Sequence, residues 1–128
     1  MIKSKFILEI MDLLLDGEND ELMIRHQLDC LTDENYDFTG SGLFVTFSHN
    51  DNISTKRIQK DNLILNGVLI KSSELEIGAD AAVFITNGII DYLEIWSLSG
   101  DYPKRELTDY VLTQVWEDSP KRQITKDK

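Results

Sequence analysis

The sequence predicts an α+β domain, a helical hairpin at the N-terminus packed on an antiparallel sheet of about five or six strands. Three observations carry that prediction. Apolar residues recur at helical spacing near the start, β-branched and aromatic residues gather after Gly42, and two Asn-Gly dipeptides, Asn66-Gly67 and Asn87-Gly88, each sit between apolar runs.

Between Ser4 and Asp16 the polar residues Lys5, Glu9, Asp12 and Asp16 alternate with Phe6, Ile7, Ile10, Met11, Leu13 and Leu14, as on an amphipathic helix with a wide buried face. Gly17 fits its C-cap. Asn19 or Asp20 then caps a second helix running to about Leu31, with Leu22, Met23, Leu28 and Leu31 on its apolar side. The polar stretch that follows, TDENYDFTGSG, reads as a loop.

Leu43 to Ser48 reads as a strand with Leu43, Val45 and Phe47 on one face. His49 to Asp61 reads as a surface connection whose Lys56, Arg57 and Lys60 form a solvated turn. Asn66-Gly67 predicts a hairpin between Leu63 to Leu65 and Val68 to Ile70, and Asn87-Gly88 predicts a second, because a two-residue type I′ loop needs positive φ at both positions. Residues 107–116 alternate Tyr110, Leu112, Gln114 and Trp116 with Val111, Thr113 and Val115, which fits a last strand, with a helix as the alternative. Residues 1–118 thus make one domain and residues 119–128 a polar tail.

A two-residue loop at Asn87-Gly88 pairs Thr86 with Ile89, Ile85 with Ile90, Val83 with Tyr92 and Ala81 with Glu94. Strict alternation then places Glu94 between Tyr92 and Trp96 on one face, with Asp91 on the other. Both faces of this hairpin are mainly apolar. That predicts a central position in the sheet, with helices against one face and a loop, a second protomer or a partner against the other.

With 128 residues the chain can bury one sizeable core, and its 41% hydrophobic and 28% charged content is ordinary for a globular protein. No apolar run approaches the roughly 20 residues of a bilayer span, and Glu9 and Asp12 interrupt the first apolar stretch, so neither a membrane helix nor a secretory signal is expected. The single Cys30 can form no internal disulfide, which points to a reducing cytoplasm and a buried helical thiol. A net charge of −10 argues against a nucleic-acid partner. Residues 119–128 alone are basic, with four bases and one acid, so the expected picture is an acidic body with a basic tail. An acidic surface serves solubility and also speeds encounter with a cationic protein.

Few residues suggest chemistry. His26 and His49 fall in different predicted elements, and Asp29, Asp33, Glu34 and Asp37 lack the glycine and terminal glutamate of a calcium loop, so no metal and no cofactor are expected. Gly40 and Gly42 flank Ser41, but without a following lysine and helix they do not make a phosphate loop. Glu94 is the candidate acid: a carboxyl between Tyr92 and Trp96 is partly desolvated, which favours its neutral form, or else it satisfies a buried polar position. Trp96, Asp101 and Tyr102 lie close by in sequence. With Glu94 they form a candidate partner-binding patch, because tyrosine and tryptophan anchor interfaces.

Over Asp37 to Pro103 the chain resembles a group of small bacterial proteins that share a TGxGxF-type strand start and a later Asn-Gly or Asp-Gly hairpin before an LE-containing strand. The matching positions are Thr39, Gly40, Gly42 and Phe44, then Asn87, Gly88, Leu93, Glu94 and Pro103. The resemblance implies a bacterial cytoplasmic α+β protein. Some comparable small acidic proteins are immunity proteins that neutralise toxins.

The function expected is a non-enzymatic protein-binding module, immunity-like, which masks a basic toxin with its acidic surface. One alternative is a small enzyme or ligand-binding domain using Glu94 in a pocket between helices and sheet. Another is a homodimer whose sheets pack face to face.

Overall fold

Ser4 starts the first helix by supplying an acceptor to a backbone N–H that has no helical partner: its Oγ takes the Ile7 N–H at 3.2 Å. In the computed structural model, which describes residues 1–17 and 20–128 apart from the side chains of 20–22, helix α1 spans Lys5–Leu14. Its buried residues are Phe6, Ile7, Ile10, Met11, Leu13 and Leu14, the apolar stripe read from the sequence. The helix ends at Leu15, whose N–H reaches Met11 O, so Gly17 is not its cap.

Helix α2 is Asp20–Arg25 and stops well short of Leu31. Its end is tightened by bonds from His26 N–H to Met23 O and from Gln27 N–H to Ile24 O, and a short 3-10 turn, Leu28–Cys30, follows. The helix turns Ile24 inward with 0% exposure and leaves Met23 58% exposed, the reverse of the expected Met23 stripe. Asn19, one of its expected caps, lies outside the described residues.

All strand pairings are antiparallel. The strands are β1 Leu31–Phe38, β2 Gly42–His49, β3 Asn62–Lys71, β4 Ala79–Thr86, β5 Ile89–Ser97, β6 Tyr110–Gln114 and β7 Gln123–Lys126. They form one seven-stranded sheet in the order β1-β2-β5-β4-β3-β6-β7, rather than the expected five or six strands. One extra strand is β1, where a loop is expected. A bulge between Asp33 and Asn35 breaks its period of two, and Asp33, an acid, occupies an inward position. The other is β7, which gives the expected tail a place on the edge of β6.

Asn66-Gly67 is not a turn. Strand β3 continues through it, and Gly67, at φ 107°, forms a bulge where a Cβ would lie 2.5 Å from Trp116 Cβ. Asn87-Gly88 is the expected turn, with φ 53° and 75°.

The pairs Thr86 with Ile89 and Ile85 with Ile90 form as expected. A bulge at Asp91 then moves the register by one, giving Phe84 with Tyr92, Val83 with Leu93, Ala82 with Glu94 and Ala81 with Ile95. The expected pairs Val83 with Tyr92 and Ala81 with Glu94 are therefore not made. A one-residue shift sends each side chain beyond the bulge to the opposite face.

The inner face carries Val45, Val68, Ile70, Ala81, Val83, Ile85, Ile90, Leu93, Ile95 and Leu112, all buried in one core with α1. Two fully buried glutamines fasten its ends. Gln27 Nε2 donates to Lys56 O and Gly88 O, and its Oε1 accepts the Ile90 N–H, each at 2.9 Å. Gln114 Nε2 donates to Leu13 O at 3.1 Å and Asp16 Oδ2 at 2.9 Å, and its Oε1 accepts the Arg122 N–H at 2.9 Å. The second fastening supplies a donor to a carbonyl in the last turn of α1. Among the described residues no helix is long and apolar enough to cross a membrane.

Candidate partner-binding face

The Asp91 bulge decides what the other side of the sheet displays. With Leu93 and Ile95 turned inward, Tyr92, Glu94 and Trp96 point outward, away from α1. The register sets these side chains in rows. Thr46, Tyr92, Phe84 and Ile64 lie across β2, β5, β4 and β3. Beside them run Asp37, Phe44, Glu94, Ala82 and Asn66, and next Gly42, Trp96, Asp80 and Leu69.

Phe84 and Tyr92 stack with ring centroids 4.5 Å apart and planes 8° apart, and Phe44 tilts against Tyr92 at 6.2 Å. These rings are half-buried and packed on one another, Trp96 is half-buried as well, and Ile64 is 57% exposed at the end of the row. No described helix packs over this face.

Its charge is one-sided. Asp37, Asp80, Asp91 and Glu94 face outward, and Lys71, whose Nζ donates to Ile77 O at 2.5 Å, is the one lysine or arginine at an outward strand position among the described residues. Asp91 accepts a hydrogen bond from Thr86 Oγ1 at 3.0 Å, which sets it on this side. Asp91 and Glu94 therefore share a face, contrary to the separation expected from strict alternation.

Asp80 and Glu94 make no hydrogen bond or ion pair with any described residue. Burial pushes the Asp80 carboxyl above the ordinary aspartate range, with no neighbouring donor to oppose it. Other partly buried carboxylates are satisfied. Asp12 meets Arg25 and Arg122, Asp16 meets Arg122 at 2.9 Å, and Glu74 meets Arg105 and the Thr108 N–H.

The four candidate residues divide. Glu94 and Trp96 are half-buried on the outer face, and Asp101 is exposed in the loop after β5. Tyr102 does not join them at the surface: it is 4% exposed, its ring is part of the core, and its N–H is held by Gly40 O at 2.9 Å. Burial, reinforced by the charges of Glu106 and Glu74, raises its hydroxyl well above the usual tyrosine range. Sequence reasoning missed Phe44, Phe84, Asp80 and Asp37. Phe44 was legible as the alternate of Leu43, Val45 and Phe47, whereas Phe84 and Asp80 join Glu94 and Trp96 only through the bulge.

No family model, curated protein or solved structure matches the chain. The chemistry of the face is therefore read from its own residues. Aromatic rings and carboxylates without internal partners are groups that can contact cations and apolar side chains. Among the described residues no group of three or more His, Cys, Asp and Glu side chains converges as metal ligands would. Glu94 faces away from the space between α1 and the sheet, so it cannot act as an acid there.

Proposed function

We propose that this chain is a non-enzymatic protein-binding module, immunity-like, which docks a cationic protein such as a basic toxin on the outer face of its sheet in a bacterial cytoplasm. One observation carries the reading: an uncovered cluster of Phe44, Tyr92, Phe84 and Ile64, spanning two neighbouring rows, is bordered by acids, of which Asp37, Asp80 and Glu94 have no partner among the described residues. Apolar area supplies affinity, and acids without internal partners favour a positive protein over a neutral one. The net charge of −10 extends the same preference to longer range. A homodimer through this face would set acids against acids, which opposes that alternative.

The test is purification from the native host at low and at high salt, beside the variant Phe84→Ala/Glu94→Lys. A basic protein should co-purify in stoichiometric amount at low salt, weaken as salt rises and be lost from the variant. Recovery of no basic protein, or equal recovery by the variant, would refute the reading.

A further inference from the structure

The outer face holds one place where a specific cation fits better than diffuse positive charge. Trp96 has Asp80 as its cross-strand partner on β4 and Gly42 on β2. Glu94 precedes it by two positions on the same face of β5, as alternation along a strand requires. Trp96 thus has one acid as its neighbour across the strands and another two residues along its own strand, and its β2 neighbour, Gly42, has no side chain.

Both acids are half-buried, and they depart from the pattern of the other carboxylates of that burial among the described residues. Asp12, Asp16 and Glu74 are paired with arginine, and Asp33 accepts the Lys3 N–H at 2.7 Å and the Ser4 N–H at 3.1 Å. A carboxylate drawn partly out of water costs stability unless something positive meets it. Among the described residues nothing positive meets Asp80 or Glu94, which leaves both carboxylates open to a cation from outside.

We propose that the partner presents an arginine whose planar guanidinium stacks on the Trp96 indole while the carboxylates of Asp80 and Glu94 accept its N–H groups. Tryptophan is the best of the aromatic faces for a cation, and arginine both stacks and forks onto carboxylate, whereas lysine is a compact, strongly hydrated point charge. Two carboxylates without a third ligand suit a guanidinium better than a metal ion. The inference rests on the reading of this face as a docking surface, and it adds the residue type and the seat.

The test uses the full chain, 15N-labelled, titrated with a soluble peptide of alternating arginine and glycine, with its lysine counterpart and with its uncharged citrulline counterpart. The Trp96 indole N–H signal should move on adding the arginine peptide. That of Trp116, whose indole N–H is bound to Leu13 O at 3.2 Å, should stay. Asp80→Asn combined with Glu94→Gln, near-isosteric changes that leave the core intact, should weaken binding about tenfold. Asp37→Asn, two strands away from Trp96, should weaken it less than about twofold.

Equal losses in the Asp80→Asn/Glu94→Gln variant and in Asp37→Asn, or equal binding by the lysine or citrulline peptide, would overturn the arginine seat while leaving the docking face standing. If no cationic peptide moves any outer-face signal at low salt, both inferences fall.

Discussion

Gln27 offers the sharpest test of how the hairpin at Asn87-Gly88 is held. The replacement Gln27→Met keeps the length and nearly the volume of the side chain but removes both donors and the acceptor. Ile90 N–H and Gly88 O meet the amide where both sides are buried, while Lys56 O lies partly open to water. Gly88 O keeps a second bond, from Ile58 N–H at 3.1 Å, so its loss is partial. Ile90 N–H is left with its full desolvation penalty of about 1–3 kcal/mol, and the two carbonyls add roughly 1 kcal/mol between them. The expected loss is therefore about 2–4 kcal/mol, a large share of the roughly 5–15 kcal/mol that keeps a domain folded. Urea titration followed by circular dichroism measures it, with the midpoint falling at unchanged slope. A loss below about 1 kcal/mol would mean that water or a shifted backbone replaces the amide, and the clamp assigned to Gln27 would be wrong.

Two further predictions concern the N-terminus and the turn. Burial alone would raise the Asp33 carboxyl, but the N–H groups of Lys3 and Ser4 and the Tyr36 hydroxyl outweigh it and hold the group below its ordinary 3.8. A depressed folded value adds stability above the unfolded value that is lost as pH falls through the folded one. Asp33→Asn should therefore cost about 1–2 kcal/mol at pH 7 and flatten the fall in stability below 3.8; an unchanged acid limb would count against this role.

Gly88→Ala should cost about 2 kcal/mol or more, because φ is 75° and a Cβ would overlap Ile58 O. Gly100→Ala, at φ 96° with open space around it, should cost about 1 kcal/mol. Equal midpoints for the two variants in chemical denaturation would remove the clash as the cause.

The parts of this fold legible in the sequence are those where one local signal decides the matter. Ser4 and the stripe behind it specify α1, and Asn87-Gly88 specifies the turn of β4 and β5. Leu43, Val45 and Phe47 mark the inner face of β2, and Tyr110, Leu112 and Gln114 that of β6. What was not legible depends on bulges, which add one residue without an obligatory signature. The bulge in β1 hid a strand, Gly67 made a bulge look like a turn, and the bulge at Asp91 turned Glu94 and Trp96 to the face opposite α1. The glutamines were silent for another reason. A buried amide bonded to groups far away in the chain is a tertiary fact, and nothing near Gln27 or Gln114 in sequence announces it. The surface residues Glu94 and Trp96 were found through their spacing, while their companions Asp80 and Phe84 needed the register.

Both glutamine side chains are uncharged, and the one carboxylate they meet, Asp16, is held below its ordinary range, which separates the frame of this molecule from its surface chemistry. Acidification reaches Asp80, held above the ordinary range, before Asp33, held below it. The outer face therefore begins to lose negative charge while the hairpin tip, the end of α1 and the N-terminal anchor are still in place. On the proposed reading, a cation docked on that face loses part of its attraction as pH falls while the sheet keeps its shape, so weakening the complex needs no unfolding.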